Sequence, residues 1–314
     1  MASQLFLEAG RLKQLQQLES WKTAAALLFD WLVIAAAIAA CEYSGSWLAY
    51  LPAVLIIAGR QHAIATLIHE FSHYRFVANK SLSDKVGDLF SAWPLFVTVD
   101  GYRKNHFQHH QFANTERDPD FAAKVGTQRY TFPQRMRNLV LNLLAYLAGI
   151  NAYLDLKSGL VRLNKKNKLP FGYVAARLAY YIAVACLLAY LGGIDELVLY
   201  WLLPYVSLFM AIMYVRSVSE HFAIEDMDNK LEGTRTVIPA FWERAFFGPH
   251  NVCYHLEHHL YAAVPFYNLP ALHAELMKKP DYRKKAHITY GYTTGLFREC
   301  IAHGTGKGLA DALA

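Results

Sequence analysis

Charged residues and cysteine are both scarce in this sequence. Only 18% of the 314 residues are charged and 54% are hydrophobic, whereas charged residues make up about a quarter of a typical soluble domain. The four cysteines have no CxxC spacing, which argues against a thiolate metal site and a disulfide framework. We also expect no secretory signal, because Gln, Glu and Lys interrupt the N-terminus before any short apolar core. The composition favours an integral membrane protein.

Four apolar runs are long enough to cross a bilayer, whose hydrocarbon core about twenty helical residues span. They predict transmembrane helices over about residues 23–41, 47–68, 173–191 and 196–215. The remaining residues, 69–172 and 216–314, are mostly polar and would form a helical cap. The expected fold is an all-α integral membrane protein that forms a single domain over residues 1–314.

Lys and Arg are absent from the two short turns at 42–46 and 192–195. The N-terminus, the central loop and the C-terminus carry the basic residues and the net charge of +6. By the positive-inside rule, both termini and the cap face the cytoplasm. This topology requires that the apolar stretch 139–154, which Asn142 and Asn151 interrupt, does not cross the bilayer. We expect an interfacial or re-entrant helix there.

Smaller features lie near the predicted spans. Residues 4–21 fit either an amphipathic helix on the membrane surface or a loosely ordered polar tail. Residues 157–168 form a basic run. Asp30 and Arg177 lie inside predicted spans, where ionisable groups are costly and usually paired. The two side chains could pair with each other or reach the surface separately.

Eight of the fourteen histidines fall in three short boxes. The boxes are HEFSH at 69–73, HFQHH at 106–110 and HLEHH at 255–259. On a helix, spacings of three and four place side chains on one face, so each box can aim two or three imidazoles at one point. Imidazole suits zinc, copper, iron and nickel. The boxes predict a site for two metal ions, with these ligands: His69, His73, His106, His109, His110, His255, His258 and His259.

The first box also fits HExxH, the zinc-protease pattern, in which His69 and His73 bind zinc and Glu70 is the general base. A catalytic zinc needs only three protein ligands, so the two HxxHH boxes would be surplus. An intramembrane zinc protease is therefore a remote alternative. Iron fits a pair of ions held by imidazoles better, because zinc cannot change its oxidation state.

The boxes stand in longer runs: RKNHFQHH from Arg103, NTERDPD from Asn114, SEHF from Ser219 and NVCYHLEHH from Asn251. With these runs the chain resembles the membrane-bound fatty acid desaturase and hydroxylase family over roughly residues 60–275. The resemblance implies cytoplasmic helices capping four transmembrane helices, with two iron ions as cofactor and dioxygen as co-substrate. It also implies one further histidine ligand between the second and third boxes, which matches His221.

Carboxylates and an amide near the boxes are candidates for orienting the ligands, since a ligating imidazole usually donates its second N–H to such a group. The candidates are Glu70, Asp118, Asp120, Glu220, Asn251 and Glu257. His62 lies seven residues before His69 and either lines a substrate channel or is a hydrogen-bonded core residue. We expect His250 to neighbour the site without binding metal. Ordinary surface positions are expected for His273, His287 and His303.

The reaction implied by the resemblance is dioxygen-dependent oxidation of a lipid acyl chain, foremost desaturation. Hydroxylation or ketolation of a lipid, carotenoid or alkane is the alternative. The sequence has no thiolate cluster, no GxGxxG after a strand and no HPGG haem signature, so we expect two electrons to come from another protein. The expected partners are ferredoxin, rubredoxin or cytochrome b5 with a reductase, the lipid substrate and the membrane, but no nucleic acid. The basic cap would steer an acidic carrier, and it would equally suit anionic lipids.

Overall fold

A computed structural model describes residues 7–166, 169–227, 229 and 231–301, with only the backbone described at 159–166. His303 and Lys168 lie outside the described residues. In chain order the α-helices are α1 (Ala9–Leu15), α2 (Ser20–Ser44), α3 (Trp47–Ser72), α4 (Lys80–Gly87), α5 (Val99–Phe112), α6 (Pro119–Ala122), α7 (Met136–Leu147), α8 (Ile150–Lys166), α9 (Phe171–Leu191), α10 (Ile194–Glu196), α11 (Met210–His221), α12 (Phe241–Phe246), α13 (His255–Leu260), α14 (Leu269–Leu276), α15 (Pro280–Lys285) and α16 (Phe297–Ile301). Two short strands are β1 (Arg235–Ile238) and β2 (His287–Tyr290).

Among the described residues, four helices are long and apolar enough to cross a membrane, and each contains one of the four predicted spans. They are α2 together with α1, then α3, α9 and the continuous helix Ile194–His221. α2 and α9 both end at a glycine in the left-handed region, Gly45 (φ 59) and Gly192 (φ 72). A residue with a Cβ rarely adopts that conformation, so these glycines set the turns between the paired spans.

α3 is the central helix of the molecule. Nearly every residue from Ile57 to Ser72 is buried, whereas α9 has no buried residue. The helix runs from the predicted span directly into the first box, with His69 in its last turn and His73 at its C-cap. A rigid, buried helix therefore holds the first two histidines of the site.

The fourth span is less regular than its apolar sequence indicates. It contains two π-helical segments, Leu197–Leu202 and Tyr205–Phe209, before α11 ends at His221. A π turn adds a residue to a helical turn and so rotates everything that follows it. The direction in which His221 points is thus set partly by these turns.

The stretch predicted to lie in the interface forms a bent pair of helices, α7 and α8. The helix direction bends by 77° between them, at Gly149, whose φ is 76. Asn151 donates a side-chain hydrogen bond to the carbonyl oxygen of Asn142 (3.1 Å), so the two residues that interrupt the apolar run close the bend. This shape fits a re-entrant helix as well as a broken span, and the absence of a crossing stays a prediction.

The N-terminal helix is shorter than the predicted 4–21. Within the described residues it covers α1, and Leu15 at its end is buried in the cap core. Arg11 forms an ion pair with Glu275 on α14 (3.2 Å). α1 is therefore docked on the cap.

The expectation of an all-α fold misses a two-stranded parallel ribbon. β1 and β2 pair with Arg235 opposite His287 and Ile238 opposite Tyr290. Each strand has only four residues, which is too short to give a clear alternating pattern. The ribbon supports the site, because the buried Arg235 guanidinium donates to the carbonyl oxygens of Ser219 (2.8 Å) and Ala223 (2.8 Å) at the end of α11.

The suggested pair between Asp30 and Arg177 is wrong. Asp30 accepts hydrogen bonds from Arg60 (2.9 Å) and His250 (2.7 Å), because α2 packs along α3. Arg177, on the outer helix α9, donates to the carbonyl oxygen of Phe96 (2.7 Å).

Candidate metal centre

Nine histidines converge in two clusters where α3, α5, α11 and α13 meet. Within each cluster, one ring nitrogen of every histidine lies within 4.8 Å of the others. Cluster A consists of His69, His73, His106, His110 and His258. Cluster B consists of His109, His221, His255 and His259. These are the nine residues proposed as ligands from the sequence, and among the described residues no further histidine joins either cluster.

Helix spacing decides which histidine enters which cluster. In α5, His106 and His110 are one turn apart and belong to cluster A, whereas His109 belongs to cluster B. In α13, His255 and His259 are one turn apart and belong to cluster B, whereas His258 belongs to cluster A. Each HxxHH box thus supplies both clusters, which explains why such a box needs three histidines.

The Nε2 atoms of cluster A face one another. His258 Nε2 lies 2.8 Å from that of His69 and 2.9 Å from that of His110. His106 Nε2 lies 2.9 Å from that of His73 and 3.0 Å from that of His110. Two imidazoles bound at about 2.1 Å and at right angles to one ion are about 3 Å apart. The spacing of the donor atoms therefore fits a metal ion.

Cluster B has the same arrangement with one ligand fewer. His255 Nε2 lies 2.9 Å from that of His221 and 3.1 Å from that of His259. His259 Nε2 lies 3.2 Å from that of His109. The donor sets of both clusters consist of imidazoles, which suit iron, zinc, copper and nickel.

Five of the cluster histidines have a lowered pKa, which favours their neutral form. Burial, followed by the charges of neighbouring histidines, lowers the pKa of His106, His255, His258 and His259 well below the ordinary 6.5. The pKa of His110 is lowered to about 4 for the same reasons. A metal ligand must be deprotonated, so these side chains are ready to bind an ion at neutral pH.

Asp118 orients one ligand of cluster B from outside. The Nδ1–H of His109 donates to its Oδ2 atom (2.8 Å). Burial opposes ionisation of Asp118, but the hydrogen bonds from His109 and from backbone N–H groups hold its pKa below the ordinary value. A charged carboxylate behind an imidazole fixes the tautomer and makes the metal-facing nitrogen more basic.

Asn114 orients a second ligand of cluster B, and we did not assign it a role from the sequence. Its Oδ1 atom accepts the Nδ1–H of His221 (3.0 Å). The side-chain amide cannot be reversed, because its Nδ2 donates to the carbonyl oxygens of Met227 (3.1 Å) and Gly233 (2.6 Å). His221 must therefore carry its hydrogen on Nδ1, which leaves the Nε2 lone pair facing the cluster.

Glu70 and Glu220 also contact cluster histidines. Glu70 accepts the Nδ1–H of His69 (3.2 Å) and the backbone N–H of Phe266 (3.0 Å). Glu220 lies 3.5 Å from the Nδ1 of His255 and is held mainly by Arg216 (2.7 Å). Glu70, Glu220 and Asp118 are therefore the three of the six residues suggested for orientation that contact a cluster histidine.

Asp120 and Asn251 lie elsewhere. Asp120 accepts a hydrogen bond from Asn105 (2.7 Å). Asn251 accepts one from Arg244 (3.1 Å) and donates to the carbonyl oxygen of Phe266 (3.1 Å). Neither has a hydrogen bond to a cluster histidine. They support the loops beside the site.

Glu257 faces away from both clusters. One of its hydrogen-bond donors is His273, which is therefore not the ordinary surface residue that the sequence led us to expect. The buried Glu257 carboxylate accepts hydrogen bonds from Tyr282 (2.6 Å), Thr236 and His273. These three donors belong to different elements of the cap, so Glu257 fixes α13 and the histidines on it. His287 is likewise engaged, with Glu299 (2.9 Å).

His62 and His250 are outside both clusters. His62 is buried, and its Nδ1–H donates to the carbonyl oxygen of Phe246 (2.7 Å). Its Nε2 has no hydrogen-bond partner among the described residues. His250 binds Asp30 (2.7 Å). The expectation that His250 neighbours the site without joining the ligand set agrees with this position.

The sequence matches a known family over most of its length. The profile of the fatty acid desaturase family matches residues 45–291, which include all three boxes and His221.

Curated relatives are desaturases. Dihydrorhizobitoxine desaturase of Bradyrhizobium elkanii is 28% identical over 264 residues, which cover 80% of this chain and 75% of that protein. The sn-1 acyl-lipid omega-3 desaturase (ferredoxin) of Nostoc sp. (strain 36) is 24% identical over 259 residues, 76% of this chain and 70% of that protein. The chloroplastic omega-6 fatty acid desaturase of Arabidopsis thaliana is 23% identical over 226 residues, 67% of this chain and 49% of that protein. With its apolar helices and its two histidine clusters, the chain belongs to the fatty acid desaturase family and is an oxidoreductase.

Proposed function

We propose that this protein uses dioxygen and two external electrons to desaturate a lipid acyl chain at two iron ions, one in each cluster. The observation that carries this proposal is the pair of adjacent all-imidazole clusters at the ends of α3 and the fourth span. Iron supplies the oxidising chemistry with dioxygen. Nine imidazoles hold the ions. Four side chains orient these imidazoles: Asp118, Asn114, Glu70 and Glu220.

The same observation argues against the zinc-protease alternative. His69 and His73 share their cluster with three more histidines, which a single hydrolytic zinc does not need. Glu70 is turned to His69 and to the backbone N–H of Phe266. A carboxylate committed to two donors is poorly placed to activate a water molecule.

Desaturation is favoured because the names of the three relatives share it. Those names differ in what is desaturated: dihydrorhizobitoxine, an sn-1 acyl lipid and a fatty acid. We favour a lipid acyl chain for this protein, since the clusters lie at the ends of helices that are long and apolar enough to cross a bilayer. Hydroxylation or ketolation by the same clusters would leave an oxygen atom in the product.

Electrons would come from a separate carrier. The name of the Nostoc relative includes ferredoxin, which makes ferredoxin the first donor to test, before rubredoxin and cytochrome b5. We place the cap and both termini in the cytoplasm, where such carriers and the basic residues of the positive-inside rule occur.

Product analysis tests the reaction. Lipids are extracted from cells that express the protein or a variant without His221, and the acyl chains are compared by mass spectrometry. A new chain lighter by two hydrogen atoms supports desaturation, and a gain of oxygen supports hydroxylation or ketolation. Peptide cleavage that depends on Glu70, with unchanged lipids, would overturn the proposal.

Single-cysteine labelling tests the topology. Lys104 precedes α7, Lys157 lies on α8 beyond the bend at Gly149, and both side chains are exposed. Cysteines at the two positions should react with a membrane-impermeant reagent from the same, cytoplasmic side. Labelling of the two positions from opposite sides would mean that α7 and α8 cross the membrane.

A further inference from the structure

In the cap, α12 and the residues that lead from it to the third box pack against the middle of α3, which is one of the predicted membrane spans. Arg60 on α3 donates to the carbonyl oxygen of Ala245 (2.6 Å), and His62 donates to that of Phe246 (2.7 Å). A Cβ atom at Gly59 would lie 3.1 Å from the Phe246 ring, so the missing side chain lets α12 approach α3 closely. Gly59 thus has a packing role.

The contact lies at the depth of the hydrocarbon region. His62 is seven residues before His69, or about 10 Å further into the membrane along α3. If the bilayer core begins at Trp47, about twenty residues of helix reach position 67. Gly59 and His62 are then inside the core boundary, and α12 beside them is at the same depth.

A buried ionic cluster fastens this segment to two spans. The Asp30 carboxylate on α2 has no exposed side-chain surface (0%) and accepts hydrogen bonds from Arg60 (2.9 Å) and His250 (2.7 Å). Charged groups at membrane depth are costly unless they are paired within the protein. The loop carrying His250 is thereby held against α2 and α3 rather than standing above them.

The first two residues of α12 are apolar and exposed. Phe241 is 95% exposed and Trp242 is 53% exposed. Glu243 on the same helix is buried and accepts hydrogen bonds from the backbone N–H groups of Ala240 (2.8 Å) and Thr293 (2.7 Å). The carboxylate of Glu243 therefore faces the protein, whereas Phe241 and Trp242 at the start of α12 face outward.

A third aromatic side chain belongs to the same patch of structure. Tyr290 is 68% exposed at the end of β2, three residues before Thr293, which binds Glu243 of α12. Aromatic rings with a polar atom are enriched where the bilayer meets water, and Phe and Trp anchor interfacial helices. Trp242 and Tyr290 have this amphipathic character.

We propose that α12 is inserted into the membrane leaflet next to the cap, with Phe241, Trp242 and Tyr290 in contact with lipid. The partner is the acyl-chain and headgroup boundary of the bilayer. The inserted segment leads through His250 directly to His255, so it fixes the depth at which the third box is held. This inference depends on α3 spanning the membrane and is independent of the metal chemistry.

Spin labels report this contact directly. The exposed Cys186 is first replaced by alanine, and the buried Cys41, Cys253 and Cys300 are kept. A label is attached to Phe241→Cys in the full-length protein in lipid nanodiscs, and its collisions with dioxygen and with a water-soluble nickel chelate are measured. Leu187→Cys on α9 (57% exposed) is the lipid-facing control, and Lys284→Cys on α15 is the aqueous control.

The expected result is a label at 241 that collides with dioxygen as often as the Leu187→Cys label and is shielded from nickel to the same extent. Nickel accessibility equal to that of Lys284→Cys would overturn the proposal. Shielding from both agents would also overturn it, since a second copy or another protein segment would then cover the patch. Tyr290→Cys gives an independent reading by the same criteria if the first variant fails to assemble.

Discussion

The two histidine clusters differ in how their ligands are held. Cluster A has five imidazoles, and among the described residues only His69 has a carboxylate partner behind it, Glu70 (3.2 Å). The buried Nδ1 atom of His258 has no hydrogen-bond partner there. Cluster B has four imidazoles, and three of them contact Asp118, Asn114 or Glu220. Cluster A therefore has more ligands, whereas cluster B has more ligands that a neighbouring side chain holds in one orientation.

The largest expected effect of a single change is the loss of a ligand from the smaller cluster. His221→Ala leaves three imidazoles in cluster B, whereas His73→Ala leaves four in cluster A. We expect His221→Ala to lose about one iron per chain and all measurable turnover, an effect beyond the roughly 10–100-fold loss typical of an orienting residue. Metal analysis and product formation check this.

The control for that variant is Gln111→Ala, an exposed change on α5 beside the second box. It should keep wild-type iron and turnover. His273 would be an unsuitable control, since it donates to the buried Glu257. Near-normal iron in His221→Ala would remove His221 from the ligand set.

Substitutions of the residues that hydrogen-bond to the ligands should affect metal binding at one cluster and not at the other. Asn114→Gly removes the acceptor of His221 and tolerates the left-handed backbone at this position (φ 62). Together with Asp118→Asn it should weaken metal binding at cluster B by about 10–100-fold and leave cluster A unchanged. Glu70→Gln should act on cluster A alone. Stepwise removal of iron with a chelator measures each cluster, and equal losses from both would contradict the comparison.

A smaller effect on iron binding is expected from a substitution beside α13, the helix that supplies ligands to both clusters. Glu257 lies on α13, which supplies ligands to both clusters, and Tyr282 donates to it (2.6 Å). Tyr282→Phe leaves a buried carboxylate with one donor fewer, at a cost of about 1–3 kcal/mol. Thermal unfolding should occur at a lower temperature, and both clusters should lose iron equally. The exposed Lys284→Ala serves as control, and an effect limited to one cluster would refute this role.

The smallest effect concerns pH. The pKa of His110 is about 4 in the folded protein and about 6.5 in an unfolded chain. Because the folded state binds fewer protons, the metal-free protein should lose stability as the pH falls from about 6.5 to about 4. Between pH 6 and 8, metal affinity should stay nearly constant. A steep fall in affinity below pH 7, measured by competition with a chelator, would show that the imidazoles titrate normally.

The sequence was sufficient for the parts of the molecule that follow local rules. About twenty apolar residues make a span, so the four long helices were predictable. Spacings of three and four gather imidazoles, so His69, His106 and His258 were recognisable as members of boxes. The assignment of each to a cluster follows from helix phase once the helices are placed.

Contacts between distant segments were not predictable in this way. Asn114 reaches His221 across a separation of 107 residues, and Glu257 finds His273 on another helix. The π turns before α11 change the phase of the fourth span without any mark in its hydropathy. Asp30 pairs with Arg60 and His250 and not with Arg177, because α2 packs on α3. Tertiary structure determines this pairing.

Anomalous X-ray scattering at the iron absorption edge tests the central claim most directly. Crystals of the protein purified from iron-supplied cells would be measured on both sides of the edge. We predict two iron peaks per chain, one among the five imidazoles of cluster A and one among the four of cluster B. A single peak, or a zinc signal confined to His69 and His73 beside Glu70, would contradict a site built for two irons.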